Sequence, residues 1–198
     1  MKRYVALTIP ILVTLFYLFP PVVMGLDRAS MVLASLEESA GLIHPDRLLI
    51  IVSKKERRLY LFKGKSLVKS YKVALGKRPW GDKEYRGDKR TPVGKFFICT
   101  KNPKSRFYLS LGISYPSIED AKRGLAQGLI SKREYNEIVW AIRSGRRPPW
   151  NTALGGAICI HGGGAWPDWT DGCIALYNKD IRDLYKRIPI GTPVIIVE

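Results

Sequence analysis

The chain has 198 residues, with 33 lysines and arginines against 17 aspartates and glutamates and a formal net charge of +16. This length accommodates one domain with a terminal segment and argues against several domains. So basic a chain predicts polyanionic partners. Because no nucleic-acid-binding fold signature is visible, we expect anionic envelope polymers or a membrane surface and no nucleic acid.

An apolar segment begins the chain. The 23 residues from Tyr4 to Leu26 carry no charge. As a helix they would reach about 34 Å, which is enough to cross a bilayer. We therefore predict that residues 1–26 are a signal peptide or an N-terminal membrane anchor. The protein is then exported to the periplasm or cell wall, and residues 4–26 would hold an uncleaved chain in the cytoplasmic membrane.

Residues 27–47 are predicted to be a linker, in which His44 precedes a proline and is extended. The domain that follows, 48–198, starts with apolar runs bounded by glycine and proline, a pattern typical of strands. The predicted strands are Leu48–Val52, Arg58–Phe62, Ser66–Leu75, Phe96–Thr100 and Tyr108–Ser114. Gly64 makes the second and third a hairpin. The fourth is expected to end at Asn102-Pro103, in a solvated turn.

Residues 117–144 interrupt the strand pattern with two predicted helices. Ser117 begins the first, and Ser131-Lys132-Arg133-Glu134 is a capping box that begins the second. This insertion is either a lid over a substrate groove or a packing element that covers the sheet. The last run, Pro193–Val197, is wholly apolar and is predicted to be a central strand. The predicted fold class is therefore mainly β with a helical insertion.

One of the two histidines lies close in sequence to a cysteine. The run Ile158–His161 predicts a strand that brings His161 to the edge of a sheet, where three glycines end it. Thr170-Asp171-Gly172 predicts a turn, and Cys173 follows it, just before a short helix capped by Asn178. Backbone amides beside such a turn can lower the pKa of a cysteine and hold an oxyanion. Cys173 is therefore the candidate nucleophile and His161 its base.

Two other arrangements of the cysteines stay open. Cys159 and His161 face the same side of one strand, and with Cys173 and Asp171 they supply four zinc-type ligands. No Cys-x-x-Cys or His-x-x-x-His pair supports a metal, so we expect neither a metal nor a cofactor. Cys99 has the apolar neighbours of a buried thiol. It either forms a disulfide with Cys159 or both thiols stay free.

Four residues near the two catalytic candidates are candidate substrate contacts: Thr170, Asp171, Trp166 and Trp169. The faces of the two tryptophans can stack on a sugar or on peptide backbone, or they can serve packing. Asp171 can attract or repel an amine acceptor, or it can only form the turn.

The sequence around these residues resembles the L,D-transpeptidase catalytic domain of the YkuD type. That family has a His-Gly at a strand end and, further on, Ser/Thr-x-Gly-Cys-Ile/Val, which here are His161-Gly162 and Thr170–Ile174. The stretch Gly87–Phe96 is similar to the family pattern G-D-x-x-T-P-x-G-x-F. The resemblance covers Leu48 to Glu198 and implies a catalytic domain that is a β-sandwich or is barrel-like.

The resemblance also implies a role for each matching residue. Cys173 would be the nucleophile, and His161 would be the base and proton shuttle. The carbonyl of Gly162 would orient the imidazole, and the amides of Gly172 and Cys173 would form the oxyanion hole.

The commonest form of the family has His and Arg where this chain has Asp171 and Ala175, and the pattern here is closer to the YafK-like branch. The resemblance to that branch implies enzymes that cleave links in peptidoglycan instead of making them. We predict a transferase that crosslinks or remodels peptidoglycan stem peptides through a thioester on Cys173. One alternative is a hydrolytic endopeptidase or carboxypeptidase of the same fold. The other is a non-catalytic, basic module that binds the wall.

Overall fold

The computed structural model describes residues 46–198. The strands are β1 (Leu48–Ser53), β2 (Arg58–Lys63), β3 (Ser66–Lys72), β4 (Gly94–Ser105), β5 (Tyr108–Ile113), β6 (Cys159–His161), β7 (Ile174–Ala175) and β8 (Pro193–Val197). The helices are α1 (Ile118–Ala126), α2 (Lys132–Arg143) and α3 (Asn178–Arg187). The predicted signal peptide or anchor, His44 and nearly all of the predicted linker lie outside the described residues. Between residues 46 and 198, no helix has the length and apolar character needed to span a bilayer.

The eight strands form one mixed sheet in the order β3-β2-β1-β8-β4-β5-β6-β7. The two ends of this sheet meet. The N–H of Ala74, just past β3, donates to the carbonyl of Ala175 in β7 at 2.9 Å, and the reverse bond measures 2.8 Å. Closure pairs backbone groups that would otherwise lie at free edges. The predicted class, mainly β with a helical insertion and barrel-like, is confirmed.

A large core fills the closed sheet, and β8 lies in the middle of the strand order, as predicted. α3 packs on this core, in which Ile181 and Leu184 are fully buried. Asp183 on α3 accepts hydrogen bonds from Lys69 and Tyr71 on β3, each at 2.8 Å. The helix just after Cys173 is therefore fixed to the sheet by both packing and polar contacts.

Two strand ends differ from the sequence prediction. β3 ends at Lys72, because the residues that follow leave β2 and bridge to the segment around β7. β4 runs through Asn102 and Pro103 to Ser105, so the predicted solvated turn is wrong there. Proline is tolerated at this point because the β4–β5 register shifts between Asn102 and Ser105, where the missing N–H removes no regular ladder bond.

Both inserted helices begin at capping boxes, Ser117 with Asp120 in α1 and Ser131 with Glu134 in α2. The prediction for their starts is confirmed. Each serine hydroxyl accepts the N–H three residues on, while the carboxylate accepts the serine N–H in return.

The helices of the insertion pack on each other and on the loop that follows them. Their small core consists of Ala121, Ile130, Ile138 and Leu154. Arg123 of α1 also donates to the carbonyl of Lys83 at 2.8 Å and pairs with Asp82 at 3.1 Å. These contacts favour the packing element over the lid, because α1 supports the charged loop between β3 and β4.

Candidate active site

β6 brings His161 to the point where the strand ends. Ile160 is fully buried in the core, and His161 is 2% exposed. Gly162 follows in a space that only glycine fits, because a Cβ there would lie 2.5 Å from Asn178 Oδ1 and 2.7 Å from the carbonyl oxygen of Phe107. This close approach fixes the backbone directly after the histidine.

Asn178 has a different role from the one predicted. The N-cap of α3 is Tyr177, and no side chain caps that helix end. The Asn178 Oδ1 atom instead accepts the N–H of Gly163 at 3.0 Å. The predicted helix cap is therefore wrong, and this amide side chain orders the glycine segment after His161.

Three groups hold the imidazole of His161. Its Nδ1 lies 2.6 Å from the carbonyl oxygen of Gly162, which is the contact that the family resemblance implies. The ring of Phe107 stacks on the imidazole at a centroid distance of 4.4 Å. Trp169 meets it edge-on at 5.6 Å, and the indole N–H of Trp169 donates to the carbonyl of Gly164 at 3.1 Å. The predicted packing alternative thus describes Trp169 well.

The proton on this neutral imidazole is on Nδ1. A carbonyl oxygen can only accept, so the contact with Gly162 requires an N–H at Nδ1 and leaves a lone pair on Nε2. Nε2 is buried and has no hydrogen-bond partner among residues 46–198. Burial lowers the pKa of His161, the Gly162 carbonyl opposes this, and the cation of Arg106 lowers it further. The ring is therefore a neutral base with its basic nitrogen unused.

A turn built by Thr170 presents Cys173. The Thr170 Oγ1 atom accepts the N–H of Gly172 at 3.1 Å and donates to the carbonyl of Cys173 at 2.7 Å. Thr170 is 4% exposed, so its hydroxyl is committed to the turn rather than to the predicted substrate contact. The side chain that forms this turn is thus Thr170, where the sequence suggested Asp171.

Gly172 sits in a conformation and a space that require glycine. Its φ is +126°, and a Cβ would lie 2.7 Å from the carbonyl oxygen of Arg90. Its N–H was expected to provide half of the oxyanion hole, but that N–H is already donated to Thr170. The amide of Cys173 itself is then the first candidate to bind an oxyanion.

The pairing of β6 with β7 sets Cys173 alongside Cys159. The register pairs Ile160 with Ile174 and His161 with Ala175, so Cys173 lies two residues before the partner of the histidine. This parallel pairing is what brings the predicted base and nucleophile to neighbouring strands.

The thiol of Cys173 is surrounded by backbone. Its Sγ lies 3.4 Å from the nitrogen of Cys159 and 3.6 Å from the carbonyl oxygen of Ala157. Burial raises the pKa of Cys173, the Cys159 N–H lowers it, and the carboxylate of Asp171 raises it. The net shift is upward, so the resting group is a neutral thiol and a base must generate the thiolate.

A cavity of about 590 Å³ opens next to the segment around Ala157, although neither Cys173 nor His161 is among the residues that line it. Gly156 and Ile158, on either side of Ala157, form part of its wall, and Asp171 lies at its rim. Trp150 lines it as well, together with three cationic side chains: Lys83, Arg86 and Lys89. Apart from Asp171, the charged side chains that line the cavity are therefore cations.

The loop that carries these cations folds around a buried ion pair. Lys83 Nζ donates to Asp88 at 2.6 Å, and the two side chains are 3% and 1% exposed. Asp88 also accepts the N–H of Glu84 at 2.7 Å and of Arg90 at 3.1 Å. Burial acts to raise the pKa of Asp88, but the hydrogen bonds from Lys83 and the two amides hold it below its usual value. The sequence shows this stretch only as a motif, and its place in the cavity wall was not predicted.

The two remaining candidate substrate contacts, Asp171 and Trp166, lie in different places. The carboxylate of Asp171 is 77% exposed and lies 3.5 Å from Lys77 Nζ. Trp166 is 79% exposed and is not among the residues that line the cavity. The structure thus places Asp171 in the cavity wall, and Trp166 is not part of that wall.

The cysteines are all free thiols, and Cys99 is only partly buried. β5 lies between Cys99 on β4 and Cys159 on β6. Two strand spacings amount to about 10 Å, beyond the roughly 7 Å that a disulfide can bridge. The alternative of a Cys99–Cys159 disulfide is therefore wrong. Within the described part of the chain, no group of three or more histidine, cysteine or acidic side chains is arranged to hold a metal ion.

The family model of the L,D-transpeptidase catalytic domain, YkuD, matches residues 47–196. No curated protein matches the chain. Among solved structures, the chain is similar to Bd1075 of Bdellovibrio bacteriovorus, with 22% identity and a TM-score of 0.51 over 77% of this chain and 48% of that one. It is also similar to the helical cell shape determining protein Pgp2 of Campylobacter jejuni, with 21% identity and a TM-score of 0.52 over 77% and 48%.

At these identities the two structures share the fold with this chain. The chain spans about half the length of each of them. The matched part of this chain contains both β6 and the turn before β7, and therefore the whole site described above.

Proposed function

The chain belongs to the YkuD family of L,D-transpeptidase catalytic domains, and we propose that it exchanges peptide bonds in peptidoglycan stem peptides through a thioester on Cys173. One observation carries this proposal: the Nε2 atom of His161 is buried, unprotonated and without a hydrogen-bond partner in the described part of the chain, on the strand next to the thiol. A buried polar atom left unpaired costs stability, and active sites are where such costs are retained.

In the first step, Nε2 of His161 takes the proton of the Cys173 thiol, and the sulfur attacks the carbonyl carbon of a stem peptide. The carbonyl oxygen becomes an oxyanion that the amide of Cys173 stabilises. The imidazolium formed is stabilised by the Gly162 carbonyl at Nδ1.

In the second step, the C–N bond breaks and the leaving amine takes the proton from Nε2. The acyl group is left on the sulfur as a thioester, and His161 is neutral again. An amine of a second stem peptide then gives a new peptide bond, whereas water gives a free acid. The two outcomes share the thioester and differ only in the acceptor.

The positive charge of the cavity wall favours a substrate peptide that carries carboxylates. Arg86 and Lys89 are exposed cations in its wall, and Lys83 contributes a third, although Asp88 neutralises it. Asp171 is the acidic group at the rim, so a protonated amine would be attracted there. Stem peptides offer both kinds of group.

The hydrolytic alternative is supported by the residues that flank Cys173. This chain has Asp171 and Ala175 where the commonest pattern has His and Arg. Asp171 holds Lys77 at 3.5 Å and points to solvent, which leaves water free access to the rim. We keep hydrolysis as the second candidate because it needs no acceptor site.

We also propose that the protein works outside the cytoplasm, exported by residues 1–26 and attracted by its net charge of +16 to anionic polymers or lipid head groups. The fold is shared with a protein that is described as determining helical cell shape. Remodelling of the wall that affects cell shape is a role in keeping with the proposed chemistry.

The test uses the full chain with purified muropeptides and an added D-amino acid, followed by product analysis. The unsubstituted protein is compared with Cys173→Ala, and Cys99→Ala is the matched control for loss of a thiol. If the unsubstituted protein and the Cys99→Ala control exchange the D-amino acid and Cys173→Ala does not, the reaction is a transfer. Release of a residue without exchange establishes hydrolysis. If neither product forms, the wall-binding module becomes the better description.

A further inference from the structure

Two thiols share one backbone carbonyl at this site. Cys159 Sγ lies 3.5 Å and Cys173 Sγ lies 3.6 Å from the carbonyl oxygen of Ala157. The distance between the two sulfur atoms therefore cannot exceed the sum of these two distances. Ala157 has a φ of +53°, a left-handed conformation that is uncommon for a residue with a side chain. That conformation holds the carbonyl against both sulfurs.

The backbones of these cysteines also have the spacing that a disulfide needs. β6 and β7 pair in parallel, with Cys173 alongside Cys159. Neighbouring strands lie about 4.8 Å apart, which is inside the range of roughly 4.4 to 6.8 Å between the Cα atoms of disulfides. Both residues are partly exposed, so a small oxidant can reach them. Cys99 is a whole strand further away.

We propose that Cys159 is a resolving thiol that forms a reversible disulfide with Cys173 after a peroxide has oxidised Cys173. Family resemblance assigns no function to Cys159, and its side chain has no part in the mechanism above. The pair makes this site a place of oxidative modification.

The chemistry balances with hydrogen peroxide as the oxidant. The Cys173 thiol loses its proton, its sulfur attacks one peroxide oxygen, and the O–O bond breaks. A sulfenic acid and water form, because the released hydroxide takes up that proton, so sulfur loses two electrons and the peroxide gains them. The sulfur of Cys159 then attacks the sulfenic sulfur. The S–S bond forms, the S–OH bond breaks, and the hydroxide leaves as water with the proton of the Cys159 thiol. A dithiol reductant then reduces the disulfide by exchange, so that both cysteines return to thiols and the reductant becomes a disulfide.

The consequence for activity rests on the proposed function, because only a nucleophilic Cys173 would be silenced by the disulfide. The crosslink itself does not rest on it. A disulfide also protects Cys173 from oxidation to sulfinic acid, which thiols do not reverse. Export would expose the site to an oxidising compartment, where such protection matters.

The experiment treats the reduced full chain with an excess of hydrogen peroxide, blocks remaining thiols with N-ethylmaleimide, and maps the products by mass spectrometry. Trypsin leaves both cysteines in one peptide, because no lysine or arginine lies between them. Cleavage before Asp168 and Asp171 separates them. The expected result is two fragments that stay joined until reduction. The intact chain, measured before the maleimide is added, should lose about 2 Da.

Two variants control the mapping. Cys99→Ser should form the same joined fragments as the unsubstituted chain. Cys159→Ser should form none, and its Cys173 should accumulate as sulfinic acid. After peroxide and then dithiothreitol, the unsubstituted chain should regain at least about tenfold more of its own starting activity than Cys159→Ser regains.

Sulfinic acid on Cys173 without joined fragments in the unsubstituted chain would overturn the proposal, and so would a crosslink that involves Cys99. Because the mapping needs no substrate, it decides the crosslink even if the proposed activity is not found. Joined fragments in a protein without activity would refute the proposed function alone.

Discussion

The ring of Phe107 lies against the imidazole of His161, with ring centroids 4.4 Å apart and planes 19° from parallel. The same residue accepts the N–H of Gly162 at its carbonyl, at 3.1 Å. One residue between β4 and β5 therefore sets both the ring of the histidine and the backbone that follows it. It shields the ring from water, and burial is what lowers the pKa of His161.

Replacing Phe107 by alanine should therefore affect catalysis more than folding. We expect kcat to fall about tenfold, because a small tilt of a catalytic group is costly. Water reaching the imidazole should also raise the pKa of His161 toward its usual 6.5. The measurement is the pH dependence of turnover for Phe107→Ala beside Trp80→Ala, an exposed aromatic residue that does not touch the site. Identical profiles for the two variants would contradict this role.

The state of His161 predicts an acid limb in the activity. The neutral ring is the base, and burial lowers its pKa below 6.5, so activity should rise with pH and level off below that value. In His161→Gln we expect a loss of about a thousandfold. The residual rate should then rise only toward the Cys173 pKa, which lies above its usual 9.0. An acid limb that survives in His161→Gln would assign it to another group.

Folding stability should follow the same histidine. The unfolded chain binds a proton on His161 more readily than the folded one, because the folded pKa is lowered. The stability that neutral His161 contributes is therefore present above about pH 6.5 and is lost as the pH falls below it. Urea unfolding at a series of pH values, with His161→Gln as the reference, measures this difference. A stability difference that does not change with pH would argue against a buried neutral ring.

Gly172→Ala should destabilise the protein more than Gly87→Ala. Both glycines have a positive φ, +126° and +91°, but only at Gly172 would a Cβ meet backbone, 2.7 Å from the Arg90 carbonyl oxygen. We expect a loss of about 1 kcal/mol at Gly87, from backbone strain alone, and about 3 kcal/mol or more at Gly172. Thermal unfolding of the two variants checks the order. Equal losses would mean that the turn before Cys173 can move away from Arg90.

Asp88→Asn should destabilise the folded protein, beginning with the loop that forms the cavity wall. Lys83 would be left as a buried cation without its partner, which costs about 3 to 5 kcal/mol. In the unsubstituted chain the lowered pKa of Asp88 means that this stabilisation is present above about pH 3.8 and is lost as the pH falls through the folded value. The control is Glu137→Gln, which breaks an exposed pair with Arg133 and should change the thermal midpoint hardly at all. A similar small effect at Asp88 would contradict a structural role for the buried pair.

Carbapenem-type β-lactams should acylate Cys173. The strained lactam carbonyl would enter the cavity as proposed for the stem peptide, and the thiol would retain the opened ring as a thioester. Intact-mass measurement should show one adduct on the full chain and on Cys99→Ala, and none on Cys173→Ala. Cys159→Ala separates the two neighbouring thiols, because it should still form the adduct. An adduct that disappears with Cys159 would place the reactive thiol elsewhere.

Much of the fold could be predicted from the sequence because its signals are local. The wholly apolar run of β8, the glycine turn between β2 and β3 and the capping box of α2 each involve residues within a few positions of one another. The same holds for the pairing in sequence of His161 with Cys173. The ends of β3 and β4 were less predictable, because each end depends on how far the pairing with a neighbouring strand continues.

Residue types at short spacing were enough to predict the class of the fold, the family resemblance and the two residues that bear the proposed chemistry. The surroundings of these two residues depend on the tertiary structure. Phe107 stacks on His161, and Cys159 rather than Cys99 lies beside Cys173, because strands far apart in the chain pair in one particular order and register. Long-range pairing of that kind depends on the packing of the whole core, and no local pattern of residues records it.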